Sequence, residues 1–249
     1  LMMYLTGNNA AKIIWQQYLF KMKAYVSVFS SLVIIQLLGI LLSFSGTASR
    51  GTSAYGMNIN ITYYSADMVI VFTSIWGFIC ALLLTTTAYR EDGFHFVTNR
   101  ISSNLSSVAF LFTASIAGGI TAVFSGFLLK VLVYYILADE ILGTGAAADP
   151  LTFARGMATA VLIIFFISSF GYLAGMMAQW YRWFAFILPA ALMGLLIVQG
   201  AGEGTILQVF YRFFFEEAST FLFFSKMIGS ACIIFAAAMF LSNQLEVKK

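Results

Sequence analysis

The sequence predicts an all-α integral membrane protein of six transmembrane helices, on three observations. Hydrophobic residues make up 61% of its 249 residues and charged residues only 9%, where soluble domains carry about 25% charge. Six runs, at about 24–45, 66–88, 105–129, 156–178, 183–200 and 221–242, are apolar enough to span, because about 20 helical residues cross a hydrocarbon core roughly 30 Å thick. Those runs also lack the two-residue alternation of a membrane β-barrel strand; VLIIFFISSF has no polar partner for each apolar residue. Lipid offers no hydrogen bonds to the backbone, so each run must close its own as a helix. Residues 1–249 then form a single transmembrane domain.

The chain opens with LMMYLTGNNAAKIIWQQYLFKMK, which lacks a cationic leader running directly into a cleavable apolar core, so no signal peptide is expected. Residues 12–23 suit a helix lying in the headgroup plane, with Trp15, Tyr18, Leu19 and Met22 on one side and Lys12, Gln16 and Lys23 on the other. The first span follows. The second ends on Thr85, Thr86 and Thr87, whose hydroxyls either bond back to the preceding turn or line a path for an amphipathic cargo.

Residues 89–104, YREDGFHFVTNRISSN, then form a polar island holding Arg90, Glu91, Asp92, Arg100 and the only histidine, His95. The stretch reads either as a simple loop or as a short helix: Phe94, Phe96 and Val97 interrupt the charges, so a helix here has an apolar side to seat on the membrane or in a partner's groove and charges left for pairing. Ser102, Ser103 and Asn104 offer N-cap chemistry to the third span.

The apolar stretch from 105 to 138 is too long for one straight crossing; the helix either extends beyond the membrane or breaks near Gly126 and Lys130. Ala114, Gly118, Ala122 and Gly126 recur every fourth residue, and Gly171 and Gly175 make a GxxxG in the fourth span. Small residues at that spacing let helix backbones approach closely. GTGAAADP ends helical order before the fourth span, and Pro189 removes a backbone donor in the short fifth. Residues 202–220 are too charged for a span and too aromatic for a solvated loop. Glu203, Phe210, Arg212, Phe213, Phe214, Glu216 and Glu217 there read as a short re-entrant or interfacial helix, serving either as an outer gate or as an aromatic belt.

With the amino terminus cytoplasmic, the inner segments hold Lys12, Lys21, Lys23, Arg90, Arg100, Arg182, Lys248 and Lys249. The outer ones hold Arg50, Lys130, Arg155, Arg212 and Lys226. Eight against five places both termini inside by the positive-inside rule.

Chemistry of the chain's own is not encoded. HExxH, GxGxxG and P-loop motifs are missing, and one histidine with two separated cysteines makes no metal cluster, so no catalytic, cofactor or metal residue is expected. Cys80 and Cys232 sit in apolar runs as small hydrophobes. A mid-span charge that would mark an ion-coupled carrier is also missing. The bilayer is an expected partner; nucleic acid is not.

The layout of interfacial helix, six spans, charged segment after the second span and aromatic acidic insertion before the sixth resembles the membrane subunit of an ABC-2-type ATP-binding-cassette exporter. The resemblance extends over nearly the whole chain and rests on architecture rather than on a short motif. It implies that residues 89–104 form a coupling helix docking on a cytoplasmic ATPase through Arg90, Glu91, Asp92, Phe94, His95, Phe96 and Arg100, and that residues 202–220 form an outer re-entrant element. It implies a working unit of two ATPases and two membrane subunits, the second a copy of this chain or a related permease, with ATP and Mg held on the ATPases. Spans two and five, with Thr85, Thr86 and Pro189, would help line the path. Small bacterial members export peptides, bacteriocins or toxins, which implies a plasma-membrane permease for a peptide or similar cargo. The competing expectation is a membrane immunity or regulatory protein that binds a peptide or lipid and moves nothing.

Overall fold

The structure, a computed structural model, describes residues 10–46, 48–54, 57–86, 89, 100–137, 149–181 and 219–244, with isolated positions between 183 and 217. The elements in order are α1 (Ala10–Ala24), α2 (Val26–Ser43), β1 (Ala48–Ala54), β2 (Met57–Tyr63), α3 (Asp67–Thr85), α4 (Arg100–Leu137), α5 (Pro150–Trp180) and α6 (Thr220–Gln244). Among the described residues, five helices, α2 to α6, are long and apolar enough to cross a membrane. The chain is a multi-pass helical membrane protein. Most of the fifth expected span, 183–200, lies outside the described residues.

The structure departs from the all-helical expectation between α2 and α3, where β1 and β2 pair antiparallel from Ala48↔Tyr63 to Ala54↔Met57. Met57, Ile59, Ile61 and Tyr63 alternate with Asn58, Asn60 and Thr62, the period-two pattern of a strand. Backbone groups of this connection bond to each other, as polar sequence outside the spans permits.

Helix α4 resolves the choice left open for residues 105–138. It runs unbroken for 38 residues, about 57 Å at roughly 1.5 Å per residue, so it continues well past a bilayer core. Gly126 does not break it, because that glycine is where α4 meets Ala66: an added Cβ would lie 3.0 Å from the Ala66 Cβ. Helix α5 begins on Asp149-Pro150. The Asp149 carboxylate accepts the Thr152 hydroxyl at 2.6 Å and the Leu151 and Thr152 amides at 3.2 and 3.3 Å. Those bonds, the Thr152 hydroxyl foremost, hold the exposed carboxyl below its ordinary pKa. Proline at the next position has no N–H to leave unpaired.

Chain contacts divide the molecule into two compact units, with α3, α4 and α5 each giving a segment to both. In the unit of Val26–Gly77 and Thr113–Ile164, α2 packs antiparallel to α3 over Ile40, Val69, Ala122, Leu129 and Val133. Small residues set the spacing as expected. A Cβ on Gly39 would lie 3.0 Å from the Val69 Cα, one on Gly118 3.0 Å from the Thr73 methyl, and one on Gly119 2.9 Å from the Val161 Cα.

The other unit comprises the amino-terminal residues to Tyr25, Phe78–Phe112 and the chain from Phe165 onward. Its core is aromatic: Phe165 meets Phe112 and Phe235 at 5.3 Å each, and Tyr172 meets Phe235 at 5.7 Å. Gly171 and Gly175 of the GxxxG face α3, where an added Cβ would collide with the Phe78 carbonyl and with Thr85. Cys80 is buried in α3 and Cys232 exposed on α6, both as free thiols.

Candidate functional site

The strongest polar constellation among the described residues joins α1 to the head of α4. Gln17 and Lys21 of α1 and Tyr25 just past its end recur every fourth residue and form one buried side, at 3, 8 and 6% exposure, while Trp15 and Leu19 remain open. The Lys21 ammonium donates to the Ser103 carbonyl at 2.9 Å, the Ser106 hydroxyl at 2.8 Å and the Ser107 hydroxyl at 2.6 Å. Ser106 and Ser107 in turn donate to the same Ser103 carbonyl, so each presents a lone pair to the lysine. Three acceptors match three N–H bonds. Desolvation nonetheless pushes the lysine pKa down to about 8.

Tyr25, at the joint between α1 and α2, reaches the other side of the polar island. Its ring packs edge-on against Tyr89 at 4.8 Å, with its hydroxyl 3.5 Å from the Tyr89 carbonyl, and against Phe110 at 6.0 Å. Residues just before and just after positions 90–99 are therefore both held by one turn of α1. The head of α4 has two further ties. Arg100 donates from its guanidinium to the Ser242 carbonyl near the end of α6 at 2.9 Å, and Asn104 accepts the buried Tyr172 hydroxyl of α5 at 3.1 Å. Inside the same junction, the Gln17 amide and the Asn104 side-chain nitrogen are enclosed without hydrogen-bond partners.

A second constellation lies before α6. Lys226, two turns into that helix, forms an ion pair with Glu217, donates to the Phe213 carbonyl at 3.2 Å and sits 4.4 Å from the centre of the Phe213 ring. Phe214 is buried between Phe213 at 4.9 Å and Phe166 of α5 at 5.0 Å. Arg212 and Glu216 make an exposed pair one helical turn apart at 3.9 Å, the kind that contributes little.

Of the expected coupling residues, Arg90, Glu91, Asp92, Phe94, His95 and Phe96 lie outside the described residues. Arg100 belongs to the first turn of α4. Ser102, Ser103 and Asn104 correct the N-cap expectation: they lie inside α4, which is already helical at Arg100, and the Ser103 carbonyl and Asn104 side chain serve tertiary contacts. Of the outer gate set, Glu203 and Phe210 lie outside the described residues, while Phe213, Phe214 and Glu217 converge with Lys226. Pro189 is also outside. Thr85 and Thr86 bond back to the Leu82 and Leu83 carbonyls at 2.7 Å, and Thr85 is buried against Gly175. Lys21, one of the inner cations of the charge count, is buried, because serines of α4 replace its water. The signal for that site was available as a polar run, Ser102-Ser103-Asn104 with Ser106-Ser107, at the head of an apolar helix.

Among the described residues, no group of three His, Cys, Asp or Glu side chains converges as a metal site. Compared with protein families, curated proteins and solved structures, the chain matches none.

Proposed function

We propose that the chain is the permease subunit of an ATP-driven exporter of the ABC-2 type, moving a peptide or similarly amphipathic cargo, with hydrolysis on a separate ATPase that docks at residues 89–104. One observation carries the reading: the α1 turn of Lys21 and Tyr25 grips the chain on both sides of the polar island. A push on the island is delivered at once to α1, to α4 and, through Arg100 and Asn104, to α6 and α5. A passive loop between two spans has no need of such a brace. Lys226, Glu217 and the Phe213–Phe214 pair close the segment before α6 onto the helix, as a gate at the exit would require. In this reading, two ATPases holding ATP and Mg bring a pair of permeases between closed and open arrangements, with the cytoplasmic side at the island.

Replacing Glu91 and Asp92 together by lysine is expected to abolish co-purification of an ATPase partner sought among the products of neighbouring reading frames, while the permease still inserts and folds. Association retained at the wild-type level would remove the docking role from the island.

A further inference from the structure

On the outer face of α2 and α4, within one compact unit, lies a groove of about 380 Å³. Its rims are the half-exposed apolar side chains Val33, Leu37, Phe124 and Leu128, and Gln36 and Ser125 lie in its floor. Gln36 falls near the middle of α2, a helix long enough only to cross the bilayer.

The amide of Gln36 has a fixed orientation. Its nitrogen donates to Thr73 Oγ1 at 3.3 Å, the Gly118 carbonyl at 3.1 Å and Thr121 Oγ1 at 2.9 Å. Both threonines give their own protons to carbonyls, of Val69 and Ala117, at 2.7 Å. All three partners are therefore acceptors, and only the nitrogen can face them. With the nitrogen committed to those partners, Oε1 is the remaining polar atom of a side chain that lines the groove. Gln36 is 93% buried, yet among the described residues no donor reaches Oε1, which is not fully enclosed. Ser125 also donates inward, to the Ala122 carbonyl at 2.6 Å, which leaves it an acceptor on the groove side.

An apolar groove beside the middle of a helix long enough to span, with acceptors in its floor and no free donor among its lining side chains, is complementary to one kind of occupant. We propose that the groove is a binding site for a neutral lipid that carries a hydroxyl within its apolar body, the hydroxyl donating to Gln36 Oε1 while the chain lies between Val33, Leu37, Phe124 and Leu128. Ordinary acyl chains fill the shape but leave Oε1 unpaired in hydrocarbon, a costly state. A charged headgroup at this depth is costlier still. A second Gln36 from another copy cannot pair here, since its donors are already committed. The inference is independent of how the protein is energised.

The test uses the full chain in phosphatidylcholine nanodiscs with two photoreactive probes, a long-chain secondary alcohol with its hydroxyl mid-chain and the matching methyl ether. The alcohol is expected to label Val33–Ile40 and Thr121–Leu128 roughly 3- to 10-fold more than the ether, the ratio set by one net hydrogen bond. Gln36→Leu should erase the difference. Because that variant also loses three contacts of the amide nitrogen, the wild-type comparison of alcohol with ether decides the matter by itself. Equal labelling by the two probes overturns the proposal. So does a groove occupied by a second copy, read as an efficient disulfide between Leu37→Cys subunits.

Discussion

Lys21 shows how one side chain joins elements distant in sequence. Its folded pKa of about 8 lies below the ordinary lysine value of 10.5, so between those values the folded state has released a proton that the unfolded state still holds. Stability should therefore rise as pH rises through that window, by about 3 kcal/mol across the whole of it, and the burial cost should be fully present below pH 8. Unfolding in detergent at pH 7.5 and 9.5 measures this, and Lys21→Met should lose the increment. The Lys226 cluster predicts the opposite kind of result. Glu217→Gln removes a partly buried ion pair without changing shape, so α6 should stay folded with about 1 kcal/mol lost, and a fluorophore beside Phe213 should report a looser segment before α6.

At the scale of elements, close approach decides where each helix lies. Gly171 faces the Phe78 carbonyl, whereas nothing lies within 4 Å of a Cβ added to Gly229. Gly171→Ala should force α3 and α5 apart and cost about 1–3 kcal/mol, and Gly229→Ala should be neutral or gain up to about 1 kcal/mol from helix propensity. Thermal unfolding of the two variants side by side checks both. Most described helices were legible in the sequence because lipid requires long unbroken apolar runs, and the stripe of Ala114, Gly118, Ala122 and Gly126 correctly marked a packing face. The hairpin was missed because Ala48–Ala54 is built of small polar residues with weak strand preference, and its partner strand alone carries alternation. The buried role of Lys21 was missed for another reason: in sequence a lysine before a span reads as a flanking charge, and only tertiary contact brings Ser103, Ser106 and Ser107, more than eighty residues away, within 3 Å. The polar pattern at the head of α4 was visible, but its partner was not.

At the scale of the whole molecule, the proposed reading makes the bundle a receiver of force from a partner ATPase. One cluster of polar contacts lies at helix ends, where Lys21 and Tyr25 hold both flanks of residues 90–99 and the head of α4 is tied to α5 and α6. Weakening this brace should separate binding from work. In the reading as a permease, Lys21→Met combined with Tyr25→Leu should leave the ATPase associated while ATP hydrolysis loses its dependence on the membrane subunit. The measurement closest to the central claim is affinity purification of the wild-type chain in mild detergent with the product of the neighbouring reading frame. The account predicts a Walker A ATPase in equal stoichiometry, bound through residues 89–104 and lost on the Glu91→Lys, Asp92→Lys exchange. A chain that purifies without any ATPase, from cells in which it is fully functional, would contradict it.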